Sequence, residues 1–291
     1  MSMTHQDRKR VLVLGPNEFT WRHLRAVPNA QRYEFIAACA YDRMISNTPV
    51  PFDVLVEELE AAVEENQADG IVAFWDFPAT CLAALVSERH GLPTPGLRNV
   101  IKCEHKLWSR TLQRQVVPGA IPAFEAVDPF DDDALSKLSL QFPFWLKPVK
   151  GVGSMLGFRI NDEDDFRRAI AETRQRIHIY GKSFAQAMRH TDLPPEIAER
   201  GSEYCLAEAI IDGRQVTVEG FVHGGEVQSH GVVDSIRQSN HSTFSRYEYP
   251  SGLPSDVLET MIELSGRVLQ HFGYDDGTFN IEYFYEPDSE Q

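Results

Sequence analysis

Phe142-Pro-Phe-Trp-Leu-Lys147-Pro-Val-Lys150-Gly151-Val-Gly153-Ser154-Met-Leu-Gly157-Phe-Arg-Ile160 is the stretch from which the rest of the chain can be ordered. An apolar run, Phe142 to Leu146, leads into Lys147 and Pro148. Three glycines follow, and Phe158 and Ile160 then resume an apolar alternation. The pattern reads as strand, flexible loop, strand. Glycine allows close backbone approach and positive φ, and successive N–H groups in such a loop form an anion-binding concavity. With Lys147, Lys150 and Ser154 beside it, the anion expected is a phosphate chain. The Walker A pattern is excluded because no lysine follows Gly157. The dinucleotide fingerprint is excluded because Leu156 stands where a glycine is needed and a strand, not a helix, follows. Taken alone, the loop is equally a glycine-rich hairpin with solvated lysines, so the surrounding chain has to decide.

The 291 residues are enough for about two domains. Hydrophobic residues make up 42% and charged residues 24%, an ordinary balance for a soluble globular protein. A formal net charge of -15 repels nucleic acid and anionic membranes, so neither is expected as a partner. No apolar run approaches the ~18 residues of a membrane span, and Met1 to Arg10 lacks a signal-peptide core. Cys39, Cys81, Cys103 and Cys205 form no Cys-x-x-Cys pair and fit reduced thiols in a cytoplasm. The ten histidines show no zinc-binding spacing.

Upstream of the loop, short apolar runs at Val11–Leu14, Phe35–Ala40 and Ile71–Trp75 alternate with helical patterns at Phe52–Glu65 and Thr80–Arg89. That alternation predicts a parallel sheet with helices on both faces over residues 1 to about 100. A helix is expected from Glu104 to Gln115, with Lys106 in its first turn, where the helix N-terminus already favours anions. A short helix is expected over Asp131–Leu140 and another from Asn161 to about Arg176. Residues 177–203, broken by Gly181, Pro194-Pro195 and Gly201, read as a surface excursion with about one helical turn. Tyr204–Ile211, Gln215–Val222 and Val227–Val233 read as an antiparallel meander, with hairpin signals at Asp212-Gly213 and His223-Gly224-Gly225. Ser255–Phe272 is an amphipathic helix that Ser255 can cap and Gly273 ends. In the closing strand Gly277–Tyr285, Phe279, Ile281 and Tyr283 share one face, Asn280 and Glu282 the other. An acid in that position can hold magnesium on a nucleotide phosphate.

In this order, Lys106, Lys147, the 150–157 loop, Ala207-Glu208-Ala209-Ile210-Ile211-Asp212-Gly213, Val216–Val222 and Gly277-Thr-Phe-Asn-Ile-Glu282 resemble the ATP-grasp superfamily. The resemblance is to its carboxylate–amine ligases and the carbamoyl-phosphate-synthase-like ATP-grasp domain, and covers nearly the whole chain. It implies an α/β, α+β overall, architecture. A parallel Rossmann-like domain (1–116) would precede an ATP-grasp domain of two α+β subdomains (117–207 and 208–291), the second lacking its last strands. Lys106 and Lys147 then look like the two nucleotide-contacting lysines. Lys150, Gly151, Gly153, Ser154 and Gly157 look like the mobile flap over the phosphates. Glu208 would meet the adenine amino group, with Ala209 and Ile211 supplying backbone contacts. Glu282 would be the first magnesium-bridging acid.

Two departures stand out. The acid that usually holds the ribose is replaced by Gln215. The family's next strand, with a second metal acid, an asparagine and an arginine, is not reached before Gln291, so these 291 residues alone are expected to have little or no ligase activity. The resemblance implies ATP and Mg2+ as cofactors, with small-molecule carboxylate and amine substrates, amino acids among them. A homodimer would be in keeping with the family. The reaction would run through an acylphosphate to an amide or peptide-like bond. Phosphoryl transfer is mainly positioning and charge neutralisation, which suits lysines, backbone N–H groups and acids. Arg237 and Arg246 are both able to bind a substrate carboxylate, and Arg246, among aromatic neighbours, is taken as the catalytic candidate. A nucleotide-binding regulatory or scaffold module without turnover is the alternative. A dinucleotide-dependent oxidoreductase is a third class, disfavoured because no Gly-x-Gly-x-x-Gly follows Leu14.

Overall fold

The computed structural model describes residues 8–44, 50–237 and 244–286. In chain order the elements are β1 (Lys9–Leu14), α1 (Glu18–Ala26), β2 (Tyr33–Ala38), α2 (Tyr41–Met44), α3 (Phe52–Asn66), β3 (Gly70–Ala73), α4 (Ala79–Arg89), α5 (Leu97–Glu104), α6 (Lys106–Val116), β4 (Phe124–Val127), β5 (Phe144–Pro148), β6 (Phe158–Ile160), α7 (Glu163–Arg176), α8 (His178–Met188), α9 (Pro195–Arg200), β7 (Cys205–Ala209), β8 (Arg214–His223), β9 (Glu226–Arg237), β10 (Phe244–Glu248), α10 (Ser255–Phe272) and β11 (Gly277–Tyr285). They gather into two compact units, each assembled from separated segments. The first takes residues 1–105, 148–156 and 172–204, and the second takes the remainder.

The first unit is built on a parallel sheet of order β2-β1-β3, as the alternation of strands and helices predicts. Leu12, Val13 and Leu14 of β1 are fully buried, as a central parallel strand covered on both faces requires. Residues 177–203 overturn their expectation. They form α8 and α9, and bury Phe184, Ala187, Met188 and Ile197. Gly181 made this stretch look broken, yet it lies inside α8 because Glu203 packs against it: a Cβ there would sit 2.7 Å from the Glu203 Cγ. Phe184 stands edge-on to Phe77 at 5.4 Å, and Phe77 stacks on Phe52.

The second unit has two four-stranded sheets, β4-β7-β5-β6 and β10-β9-β8-β11. Asp212-Gly213 is therefore not the tip of a hairpin. β7 pairs with β4 in one sheet and β8 with β9 and β11 in the other, so the turn passes the chain between sheets. Gly213 is required there by its φ of 108° and by Tyr285, whose carbonyl oxygen would lie 2.5 Å from a Cβ. The β8–β9 hairpin forms as expected, with Gly224 and Gly225 both at positive φ.

One face of the second sheet is apolar. Val216, Val218, Val232, Phe279, Tyr283 and Tyr285 pack with Leu253 and, from α10, Leu258, Met261 and Ile262. The period-2 alternation then forces Gln215, Thr217, Glu219, Asn280 and Glu282 onto the opposite face. α10 ends at Gly273 in the left-handed conformation, but its cap residue is Pro254 and Ser255 is already helical.

Two other helices differ from expectation. The one expected over 104–115 is divided by His105, which is extended and fully buried, so α5 ends and α6 begins anew at Lys106. Asp131–Leu140 holds only a 3-10 turn at Ala134–Lys137. Asp128 and Asp131 accept hydrogen bonds from the Phe130 and Asp133 amides, a local alternative to helical pairing.

Candidate active site

Glu208, on β7, is a buried carboxylate held from two sides. Its side chain is 5% exposed, and each carboxylate oxygen is taken by a different cation. Lys147, at the end of β5, donates to Oε2 at 2.5 Å. Arg110, on α6, donates through Nε to Oε1. Burial alone would raise the Glu208 pKa. The Arg110 and Lys147 charges and their hydrogen bonds outweigh it and hold the carboxyl below its ordinary value. Glu208 is thus a fixed, ionised acceptor. It can receive an exocyclic amino group and would repel a carbonyl oxygen at the same place. Lys106, half-buried, is the first residue of α6, at the end of the helix whose partial charge is positive. Arg110 escaped the sequence reading. Its spacing of four from Lys106, which puts the two on one helix face, was the signal to use.

The polar face of the second sheet forms an open cleft of about 380 Å³ lined by Thr217, Glu219, Val233, Ser235, Tyr247, Asn280 and Glu282. Glu282 is exposed on the face expected of it, and its strand register sets it opposite Thr217, with Asn280 opposite Glu219. Glu219 was not singled out in the sequence, although the alternation Gln215, Thr217, Glu219 carries it onto this face. Among the described residues no three His, Cys, Asp or Glu side chains gather as a metal-binding group. Two carboxylates with amide and hydroxyl oxygens are nonetheless a hard-donor set, which fits Mg2+ held by one or two carboxylates together with phosphate oxygens.

Gln215 is buried, and its side-chain oxygen accepts from Arg237 Nε at 3.0 Å and Nη2 at 2.7 Å. The register of β10 sets Arg246 on the face opposite the cleft. Arg246 pairs with Ile236, while Tyr247 pairs with Ser235 of the cleft. Paired residues share a face, so Arg246 points away from the cleft and Tyr247 lines it. The exposed Arg246 guanidinium bonds to Glu248. A register shift between Phe244 and Arg246 sets this phase, and no count along the sequence reveals it. Arg237 is the arginine on the cleft side of β9.

The 150–157 loop is a turn with Gly153, Ser154 and Leu156 at positive φ. Gly153, Ser154 and Gly157 are exposed. A Cβ on Gly151 would meet the Met155 carbonyl oxygen at 3.3 Å. Lys150 is not a solvated side chain. It is 2% exposed, pairs with Glu104, and lies over the Phe77 ring at 4.8 Å and the Phe184 ring at 5.5 Å. Glu104 also accepts from Thr80 Oγ1 at 2.7 Å. Ala209 and Ile211 follow Glu208. The Ala209 amide is committed to the Ala123 carbonyl at 2.8 Å, and Ile211 is exposed. The buried thiols of Cys39 and Cys205 are pushed by desolvation up to about 12, so neither is a ready nucleophile at neutral pH.

A β2-β1-β3 parallel sheet is thus followed by two four-stranded sheets, the first carrying Lys147 and Glu208 and the second Glu282, an α/β architecture. The family model described as "ATP-grasp domain" matches residues 140–290, and the chain belongs to that family. Among solved structures the fold is similar to an L-amino acid ligase from Bacillus licheniformis (16% identity, 97% of this chain and 64% of that one, TM-score 0.67). It is also similar to the biotin carboxylase domain of the Hydrogenobacter thermophilus 2-oxoglutarate carboxylase, solved with MgADP, ADP and bicarbonate (19%, 96% and 63%, 0.69). A third is a D-alanine–D-alanine ligase from Bacillus anthracis complexed with ATP (14%, 96% and 82%, 0.62). The chain thus spans less than two thirds of the length of the first two. No curated protein sequence matches it. Among the described residues no helix is long and apolar enough to cross a membrane.

Proposed function

We propose that this chain binds MgATP in the cytoplasm and serves an ATP-dependent carboxylate–amine ligase, in which a small-molecule carboxylate is activated as an acylphosphate and an amine then displaces phosphate. The observation that carries the reading is Glu208 with Lys147, a buried ionised acceptor beside an exchangeable cation, in a chain of the ATP-grasp family. Glu208 would accept the adenine amino group, and guanine, with an oxygen at that place, would be refused. Lys147 and Lys106 would neutralise phosphate charge. The amides of Gly151, Gly153, Ser154 and Gly157 are proposed as further phosphate donors, and the backbone of Ala209 and Ile211 as the rim of the base site. Gln215 and Arg237 are proposed near the ribose or the substrate carboxylate. Glu282, with Glu219 and Asn280, would hold Mg2+, which when bound supplies charge neutralisation to the phosphoryl oxygens.

The test is thermal stability with and without MgATP, beside Lys147→Ala. Ligand at 100 times its dissociation constant adds about 2.7 kcal/mol. A shift present in the wild type and lost in the variant supports the reading, and a wild type that MgATP leaves unchanged overturns it. ADP release on addition of amino acids then addresses turnover.

A further inference from the structure

Glu208, Arg110 and Lys147 are built asymmetrically, and the asymmetry has a use. Arg110 is anchored twice. Its Nε holds Glu208, and its Nη1 donates to Gln113 Oε1 at 2.6 Å. Gln113 in turn donates to Ser109 Oγ at 2.9 Å, so the guanidinium is fixed on the face of α6 by a neighbour three residues on. Lys147 is tied to Glu208 by one contact, from a flexible stem whose side chain is 30% exposed. An ammonium with rotatable donors changes partner readily, whereas a planar guanidinium fork bound at two points does not.

We infer that Arg110 is a positioning residue that lets Lys147 leave Glu208 for a nucleotide phosphate while keeping the Glu208 carboxylate charged, paired and aimed at the base. This deepens the proposed nucleotide site and rests on it. Were Lys147 the only counter-cation, its departure would strand an ionised carboxylate that is 5% exposed, and stranding a buried charge is strongly unfavourable. Arg110 removes that cost, because one cation stays when the other goes. Glu208 then performs two successive jobs. Before the ligand arrives it parks Lys147. Afterwards, still held by Arg110, it accepts the amino group of the base. The cost of moving Lys147 falls only on ligands that carry phosphate.

That distinction is the test. Calorimetric titrations with MgATP and with adenosine are made on the wild type, Arg110→Met, Arg110→Lys and the double variant Arg110→Met/Glu208→Gln. Arg110→Met is expected to lower MgATP affinity about tenfold or more relative to adenosine, since only MgATP draws Lys147 away from a carboxylate left without a cation. Arg110→Lys should recover part of the ratio, because charge returns without the second anchor at Gln113. The double variant should return the MgATP-to-adenosine ratio to near its wild-type value, because a neutral amide at position 208 no longer retains Lys147. Parallel weakening of both ligands in Arg110→Met would mean that Arg110 merely shapes the pocket and would overturn the inference. So would a double variant whose ratio stays low. A wild type that binds neither ligand removes the nucleotide reading itself, which is a separate outcome from binding that Arg110→Met leaves unaltered.

Discussion

Replacing Glu208 with glutamine keeps the volume and one acceptor oxygen but removes the charge that both Lys147 and Arg110 face. Hydrogen bonds to charged groups contribute roughly 1.5–3 kcal/mol each, and removing one partner of a fully buried ion pair costs about 3–5 kcal/mol. Here the cations left behind are 30% and 26% exposed at the side chain, so Lys147 can turn toward water while Arg110 keeps its bond to Gln113. The variant also escapes the desolvation cost of a buried carboxylate. The lower end wins, and Glu208→Gln is expected to lose about 1–2 kcal/mol near neutral pH. The loss has a defined pH dependence. The folded Glu208 pKa lies below its ordinary 4.5, so its contribution is fully present above 4.5 and disappears as the pH falls through the lower folded value. Urea unfolding of wild type and variant at pH 7.5 and at successively lower pH reads this directly, since the two midpoints should converge on acidification. A variant as stable as the wild type at pH 7.5, or a difference that does not narrow in acid, would refute the reasoning.

Lys150→Met should lower thermal stability, by about 1–3 kcal/mol, because it removes the buried ammonium that pairs with Glu104 and lies over the Phe77 and Phe184 rings; the MgATP-induced shift should survive. If Lys150 instead contacted phosphate, the variant would lose the shift and little stability. Gly220→Ala drives a Cβ into the Gln228 carbonyl oxygen and to 2.8 Å from the Phe279 ring, so a loss of at least about 2 kcal/mol is expected in denaturant titration, toward the upper range for overpacking. Arg246→Ala should change stability by under about 0.5 kcal/mol and leave MgATP affinity unchanged by calorimetry, as befits an exposed side chain on the far face of its sheet. Glu282→Gln, by contrast, should weaken MgATP binding and raise the Mg2+ concentration it requires.

Much of this molecule was legible in the chain. The parallel β2-β1-β3 core, the strand–loop–strand at 144–160, the long α10 and the two faces of β11 all follow from local signals. Apolar residues repeat with period 2 or 3.6, and glycine stands at several positive-φ turns, Gly213, Gly224 and Gly273 among them. The failures are equally particular. Gly181 looked like a break because its partner, Glu203, lies across the fold. Asp212-Gly213 looked like a hairpin because turn chemistry is the same whether a strand returns to its own sheet or enters another. Arg246 is favoured in the sequence by its aromatic neighbours, while the register shift in β10 that sets its face leaves no local signal.

Local patterning is enough to mark strands, helices and loops, and the positions that resemble those of the ATP-grasp family. Backbone conformation and hydrophobic periodicity act over a few neighbouring residues and are written locally. What surrounds each charge follows from packing between distant segments. Lys147 and Lys150 are three residues apart and chemically identical. One is half-buried and pairs with the buried Glu208, and the other is sealed between Phe77 and Phe184 against Glu104. The energy of a charge is set by its burial and by the opposite charges within a few ångströms. For Glu208 those charges come from residues 61 and 98 positions away along the chain.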